Sequence, residues 1–269
     1  MRIGTTILPP YLFQQGFDST FDAMKELAEV DTVMVFSNND VIRQYQPNFQ
    51  PPKDPENGDA IATVNVRVHE EYYQQTSLRQ TKREEEMYTD RDVIDEACAA
   101  AGERNMEVWG RILEPYMITG AIPGSEICAE IDTHGNPTNQ HCFNHPEYAA
   151  YWDAVVRDLV ETHPEMTGFK FGQERGGPIG RSIGASPSPC FCPHCVRRAE
   201  AEGLNVSEAR KGLLALESFS RDHARDLAEE RNDDCKPVDG YFIEWMRIIT
   251  QYPEVLKWEK FWMNNREAQ

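Results

Sequence analysis

No apolar run in the 269 residues approaches the roughly 20 needed to cross a bilayer, so a membrane-spanning helix is not expected and no membrane partner is foreseen. Basic charge is scarce too. Against 45 acidic residues stand 27 Lys and Arg, a formal net charge of −18, so a polyanion would be repelled on average and nucleic acid is not an expected partner. The opening "MRIGTTILPPYLFQQG" lacks the basic n-region and small-residue cleavage site of an export signal, which makes a soluble, cytoplasmic protein the expectation. There is no repeat at a fixed period and no low-complexity tract. Nor do the cysteines pair evenly: seven thiols without an export signal argue against a disulfide framework.

What remains is enough for a core, because 40% of the chain is hydrophobic and 10% aromatic. "MRIGTTILPPY" reads as a short β-branched strand closed by Pro9 and Pro10. Asp18 and Ser19 offer an N-cap to a helix with Phe21, Met24, Leu27 and Ala28 on one face, and "DTVMVFS" follows as a strand buried on both sides. A long polar loop runs from Asn38 to about Thr89, with "LRQTKREEEMY" a charged, helix-capable excursion. "DRDVIDEACAAAGERN" predicts a helix ended by Gly102 and Asn105, and "MEVWGRILEP" a third strand. After a second long loop, Tyr116 to His145, "PEYAAYWDAVVRDLVETHP" predicts a helix with Tyr151, Val155, Leu159 and Val160 on its apolar side, and a fourth strand ends at Gly172.

Beyond it, "SEARKGLLALESFSRDHARDLAEERN" and "GYFIEWMRIITQYPEVLKWEKFWMNN" are helical in period, and no strand is legible. The fold expected is therefore α/β: the first half of a (β/α)8 TIM-type barrel, one domain over residues 1–269, with long βα loops and a helical C-terminus. Trp245, Trp258 and Trp262 on the last helices are expected in the core or at an interface, and self-association into a homo-oligomer is left open.

The stretch "SPCFCPHCVRRAEAEG" packs Cys190, Cys192 and Cys195 into six residues. A tetrahedral zinc site needs a fourth donor, and Cys142 in "NQHCFNHPEY" is the nearest upstream. It lies before a helix, whereas the triplet lies after the strand that follows. That excursion returns both ends to one face of the sheet, so the four can meet. Four thiolates leave no open position, which makes the expected zinc structural. Two other readings stand beside this one, free thiols and a redox pair of Cys192 and Cys195 in "CPHC". For Cys98, Cys128 and Cys235 the expectation is buried or partly buried free thiols, and His194, between two ligands, is expected to point outward.

From "HCFNHPEYAAYW" through "VETHPEMTGFKFGQERGG" to "CFCPHC", roughly Asn139 to Gly203, the chain resembles the region around the catalytic acid in family 42 glycoside hydrolases, the β-galactosidases of clan A. The resemblance implies a barrel fold and structural zinc on Cys142, Cys190, Cys192 and Cys195. It also implies a carbohydrate partner and a retaining mechanism with Glu174 as general acid/base, preceded by Gln173 where the family has Asn. Thr138, Asn139 and Gln140 stand where the family commonly has a sugar-binding arginine, so galactose is not carried over.

On the residues alone, Glu174 ends a parallel strand where such sheets present active sites, though pairing with Arg175 or Lys170 would explain it equally. Trp109, with Tyr11 and Tyr116, could stack on a sugar ring or pack at the rim. Arg111 could bond substrate hydroxyls or pair with Glu114. Glu114, ending the third strand, is the only comparable second carboxylate, but it occupies the wrong strand for the family's nucleophile, so the alternative is a catalytically inactive, zinc-stabilised sugar-binding or assembly module.

Overall fold

A computed structural model describes residues 2–39, 63–80, 90–113, 122–172, 176–223 and 238–267. In chain order these form β1 (Gly4–Ile7), α1 (Pro9–Gln15), α2 (Phe17–Ala28), β2 (Thr32–Phe36), β3 (Asn38–Asn39), β4 (Thr63–Val64), α3 (Val93–Gly102) and β5 (Glu107–Leu113). There follow β6 (Ala129–Ile131), β7 (Pro137–His141), α4 (Pro146–Thr162), β8 (Gly168–Gly172), α5 (Pro178–Ile183), α6 (Pro193–Ala201), α7 (Val206–Asp222), α8 (Val238–Gln251) and α9 (Glu254–Glu267). By its contacts the chain divides into two compact units, residues 1–127 with 150–174 and residues 128–149 with 175–269. Among the described residues no helix is long and apolar enough to cross a membrane.

The first unit is a parallel sheet in the order β1-β2-β5-β8, with helices against it. These are the four strands expected from the sequence, and β2 is buried as its apolar run requires: Val33 and Val35 are fully covered. Alternation along β5 turns Val108, Gly110 and Ile112 to the helical side. There Gly110 lies so close to Met166 and Leu159 that a Cβ would collide with the Met166 sulfur. Register places Thr6, Met34 and Trp109 in line on the other face, and pairs Arg111 with Phe36 and Lys170. The described strands make an α/β sheet of four, with β1 and β8 at its edges; no further parallel strand joins it among the described residues.

Four local expectations are corrected. Pro9 and Pro10 open α1 instead of merely closing β1, since a proline in the first turn forgoes an N–H that would have no helical partner. Helix α2 begins at Phe17 without a side-chain cap; the Ser19 and Thr20 hydroxyls donate back to the carbonyls of Gln15 and Gly16. Its buried face is Phe17, Thr20 and Phe21, while Leu27 is 84% exposed. Val160 is likewise outside, and the face it was assigned to is completed by Trp152 and Ala154.

The second unit is helical except for the antiparallel pair β6–β7, which lies inside the stretch expected to be loop. Its turn is built on Asp132 and Gly135: Asp132 Oδ1 accepts from the backbone N–H of His134 and Asn136, and Gly135 takes φ +89°. The helical stretch expected from Gly240 onward is divided at Tyr252 and Pro253 into α8 and α9. Helices α7, α8 and α9 enclose one apolar core in which Leu213, Leu216, Val255 and Trp258 are fully buried. Trp258 stacks on Phe191 with ring centres 4.5 Å apart, Trp262 is buried beside it, and Trp245 packs against the same core. These tryptophans are therefore core residues.

Candidate metal centre

The core of the second unit contains the cysteines. Hairpin β6–β7 delivers Cys142 immediately after its last residue, where the Cys142 N–H donates to the Cys128 carbonyl at 2.7 Å. The triplet is drawn to the same hairpin by the Phe191 N–H, which donates to the Ile131 carbonyl at 2.6 Å. Cys192 is the N-cap of α6 and its sulfur accepts from the Cys195 N–H at 3.5 Å, with Pro193 in the first helical turn. A cap and a residue three positions on share the first turn, so this spacing by itself brings Cys192 and Cys195 together.

The four sulfurs of Cys142, Cys190, Cys192 and Cys195 all lie within 4.8 Å of one another, and Cys142 is 3.5 Å from both Cys192 and Cys195. A disulfide would need about 2.05 Å, and the six described cysteines are all free. Tetrahedral sulfur ligation with metal–sulfur bonds of about 2.3 Å puts the sulfurs roughly 3.8 Å apart, so the cluster has the dimensions of a ligand set. All four side chains are at most 4% exposed. A small cavity of about 20 Å³ opens among Cys142, Cys190, Cys195, Glu130, Phe143, Asn144 and Trp262. The buried cluster could hold a metal ion.

Its protons are already unevenly shared. Cys192 is held far below the ordinary thiol value, foremost by hydrogen bonding from Cys142 and then from Cys190 and Cys195. Cys142 is pushed well up, foremost by its bond to Cys190, and Cys190 is pushed up foremost by burial. Buried sulfurs this close together resist accumulating negative charge unless a cation accompanies it.

Residues that the sequence did not single out complete the surroundings. Asn144, two positions after Cys142, donates from Nδ2 to Cys195 Sγ at 3.2 Å, and its Oδ1 accepts from Arg198 Nη1 at 2.9 Å. The spacing of Arg198, one helical turn after Cys195, was the available signal. His194 is half-exposed, stands edge-on to His145 at 4.7 Å, and is no part of the cluster.

The remaining cysteines separate. Cys128 is fully buried with its sulfur 3.4 Å from His145 Nδ1; Cys98 is half-buried and pushed up to about 12, foremost by burial and then by Glu165, Asp95 and Asp92. Cys235 lies outside the described residues.

A second group with ligating side chains, Asp92, Asp95 and His163 in the first unit, is a helix cap. Asp92 Oδ1 accepts from the N–H groups of Ile94 and Asp95, and Oδ2 from that of Arg67. His163 Nε2 is 3.2 Å from Asp92 Oδ1 and its Nδ1 is 2.7 Å from the Leu159 carbonyl, so both ring nitrogens face an acceptor, the arrangement that suits an imidazolium.

Of the expected substrate residues, Trp109 and Arg111 lie on β5 in the first unit. The indole of Trp109 covers Gly168, where a Cβ would collide with the ring, and Arg111 lies over Phe36 at 4.4 Å while donating to Thr6 Oγ1 at 3.3 Å. Gln173 and Glu174 fall outside the described residues, as do Glu114 and Tyr116. Gly177 approaches the carboxylate of Glu259, which accepts from the Ile179 N–H and closes the start of α5. No protein-family profile, curated protein or solved structure matches this chain.

Proposed function

We propose that the protein is a carbohydrate-acting α/β protein of the barrel type, stapled by structural zinc, with Glu174 as general acid/base. The observation that carries the reading is the meeting of Cys142 with Cys190, Cys192 and Cys195, the constellation implied by the resemblance to family 42 glycoside hydrolases. A sulfur-only set of four suits Zn²⁺ and leaves no position for water, so the ion, when bound, would supply cross-linking and no Lewis-acid chemistry on substrate. What the chain's own residues would do is tie the segment 190–195 to the end of hairpin β6–β7.

In the retaining scheme, Glu174 protonates the departing glycosidic oxygen and then deprotonates the incoming water. In this reading Trp109 would stack on a sugar ring and Arg111 would bond its hydroxyls; both lie on one face of β5. The second reading is a sugar-binding or assembly module without turnover, because the sequence offers only Glu114 as a second carboxylate, and on the wrong strand for the family's nucleophile.

A panel of glycosides with good and poor leaving groups, assayed with wild type and Glu174→Gln, separates the readings. If Glu174 is the acid, the variant loses turnover of poor leaving groups far more than of activated aryl glycosides, and azide restores turnover of the latter. Sugar binding by calorimetry with no turnover of any glycoside selects the module. Neither binding nor turnover overturns the carbohydrate assignment.

A further inference from the structure

We infer that Asn144 and Arg198 form an outer-sphere relay that sets how tightly the cysteine centre holds its metal. The inference rests on the reading of the four thiols as a metal centre. Four thiolates around a divalent ion carry a net charge of −2. In a site exposed by no more than 4%, that charge must be met by protein dipoles and cations instead of water.

Donors to the sulfurs include two N–H groups. One is the Cys195 N–H on Cys192, at the N-terminus of α6. The other is the Asn144 amide on Cys195, and its orientation is decided chemically. Arg198 can only donate, so the amide atom 2.9 Å from its guanidinium must be the oxygen, which leaves the NH₂ group at 3.2 Å from the sulfur. The guanidinium thus polarises the amide, and the amide passes that polarisation to Cys195. Neither residue is a ligand; both act through Cys195. Arg198 also pairs with Glu202, at 3.4 Å on the helix surface.

The experiment is a competition for Zn²⁺ between a calibrated chelator and the full chain, repeated with Co²⁺ and ¹¹³Cd²⁺ to read the sulfur environment. Asn144→Ala and Asn144→Asp should each weaken retention by roughly 10–100-fold, Asp at the larger end because a carboxylate repels the thiolate. Both should also shift the thiolate-to-cobalt absorption and the cadmium resonance.

Arg198→Gln, at a residue whose surface position tolerates change, should weaken retention less, and Arg198→Lys should recover part of the loss. Glu202→Gln, which removes the neighbour outside the relay, should leave affinity and spectra as in wild type. A wild type that takes up no Zn²⁺, Co²⁺ or Cd²⁺ when purified anaerobically overturns the metal centre, and the relay falls with it. A wild type that binds, with Asn144 and Arg198 variants equal to it in affinity and spectrum, overturns the relay alone. Should the Asn144 variants fail to fold, the Arg198 pair decides by the same two readouts.

Discussion

The two units reach order by different physical means. In the first, β1, β2, β5 and β8 are joined by backbone hydrogen bonds in continuous parallel register, and Val33, Val35, Val108 and Ile112 cover the helical side. Among the described residues the second has a short hairpin and five helices, and the segment from Ser186 to Cys192 has no regular partner strand. There the long-range connection between hairpin β6–β7 and α6 is made by one short backbone bond, from the Phe191 N–H to the Ile131 carbonyl, and by side chains, four of them sulfurs. A sheet specifies its neighbours through every residue of a strand, whereas a cysteine cluster specifies them at one point, so removing that point should cost far more.

The largest effect expected is therefore metal removal. Chelation, or Cys142→Ser, should unfold the second unit while amides of Val33, Val35 and Val108 stay protected from hydrogen exchange. Structural zinc contributes roughly 10–16 kcal/mol in small metal-dependent domains, more than a helical core of this size can lose. Equal loss of protection in both units, or none in either, would erase the contrast.

Trp258→Ala comes next, at about 3–5 kcal/mol, because a fully buried ring stacked on Phe191 leaves a cavity beside the cluster. Urea unfolding monitored separately in each unit should place that loss in the second. An unchanged midpoint there would mean that the core can close over the gap.

The smallest effect belongs to the first unit and depends on pH. Burial opposes the charge on His163, but hydrogen bonding and attraction from Asp92, with the Leu159 carbonyl, outweigh it and raise its value above that of an ordinary histidine. Its contribution is thus complete below about pH 6.5 and is lost as pH rises through the raised folded value. Burial likewise opposes charge on Asp92, yet the bond from His163 and the Arg67 N–H lower its value. That contribution is present above about pH 3.9 and lost as pH falls through the lowered folded value. His163→Gln should cost the first unit about 1.5–3 kcal/mol near pH 6 and progressively less in alkali. A cost independent of pH would show that the ring is neutral in the fold.

Much of this molecule is written in local pattern. The β-branched run Thr32 to Phe36, the helix from Pro146 to Thr162 and the C-x-C-x-x-C spacing each announce themselves, because strand period, helix period and ligand spacing are properties of adjacent residues. The sequence by itself thus determined a parallel four-stranded α/β sheet, a helical C-terminal region and a set of four candidate thiols. Tertiary structure decided what local pattern cannot carry. It exposed Leu27 and Val160, because which arc of a helix is covered depends on what packs there. It made Pro9 a helix opener, turned the Asp132–Gly135 loop into a hairpin, and aimed Asn144 at Cys195 through Arg198, 54 residues distant along the chain. The reason is that burial and hydrogen-bond partnership belong to pairs of groups brought together by the fold, whereas propensity belongs to single residues and their neighbours.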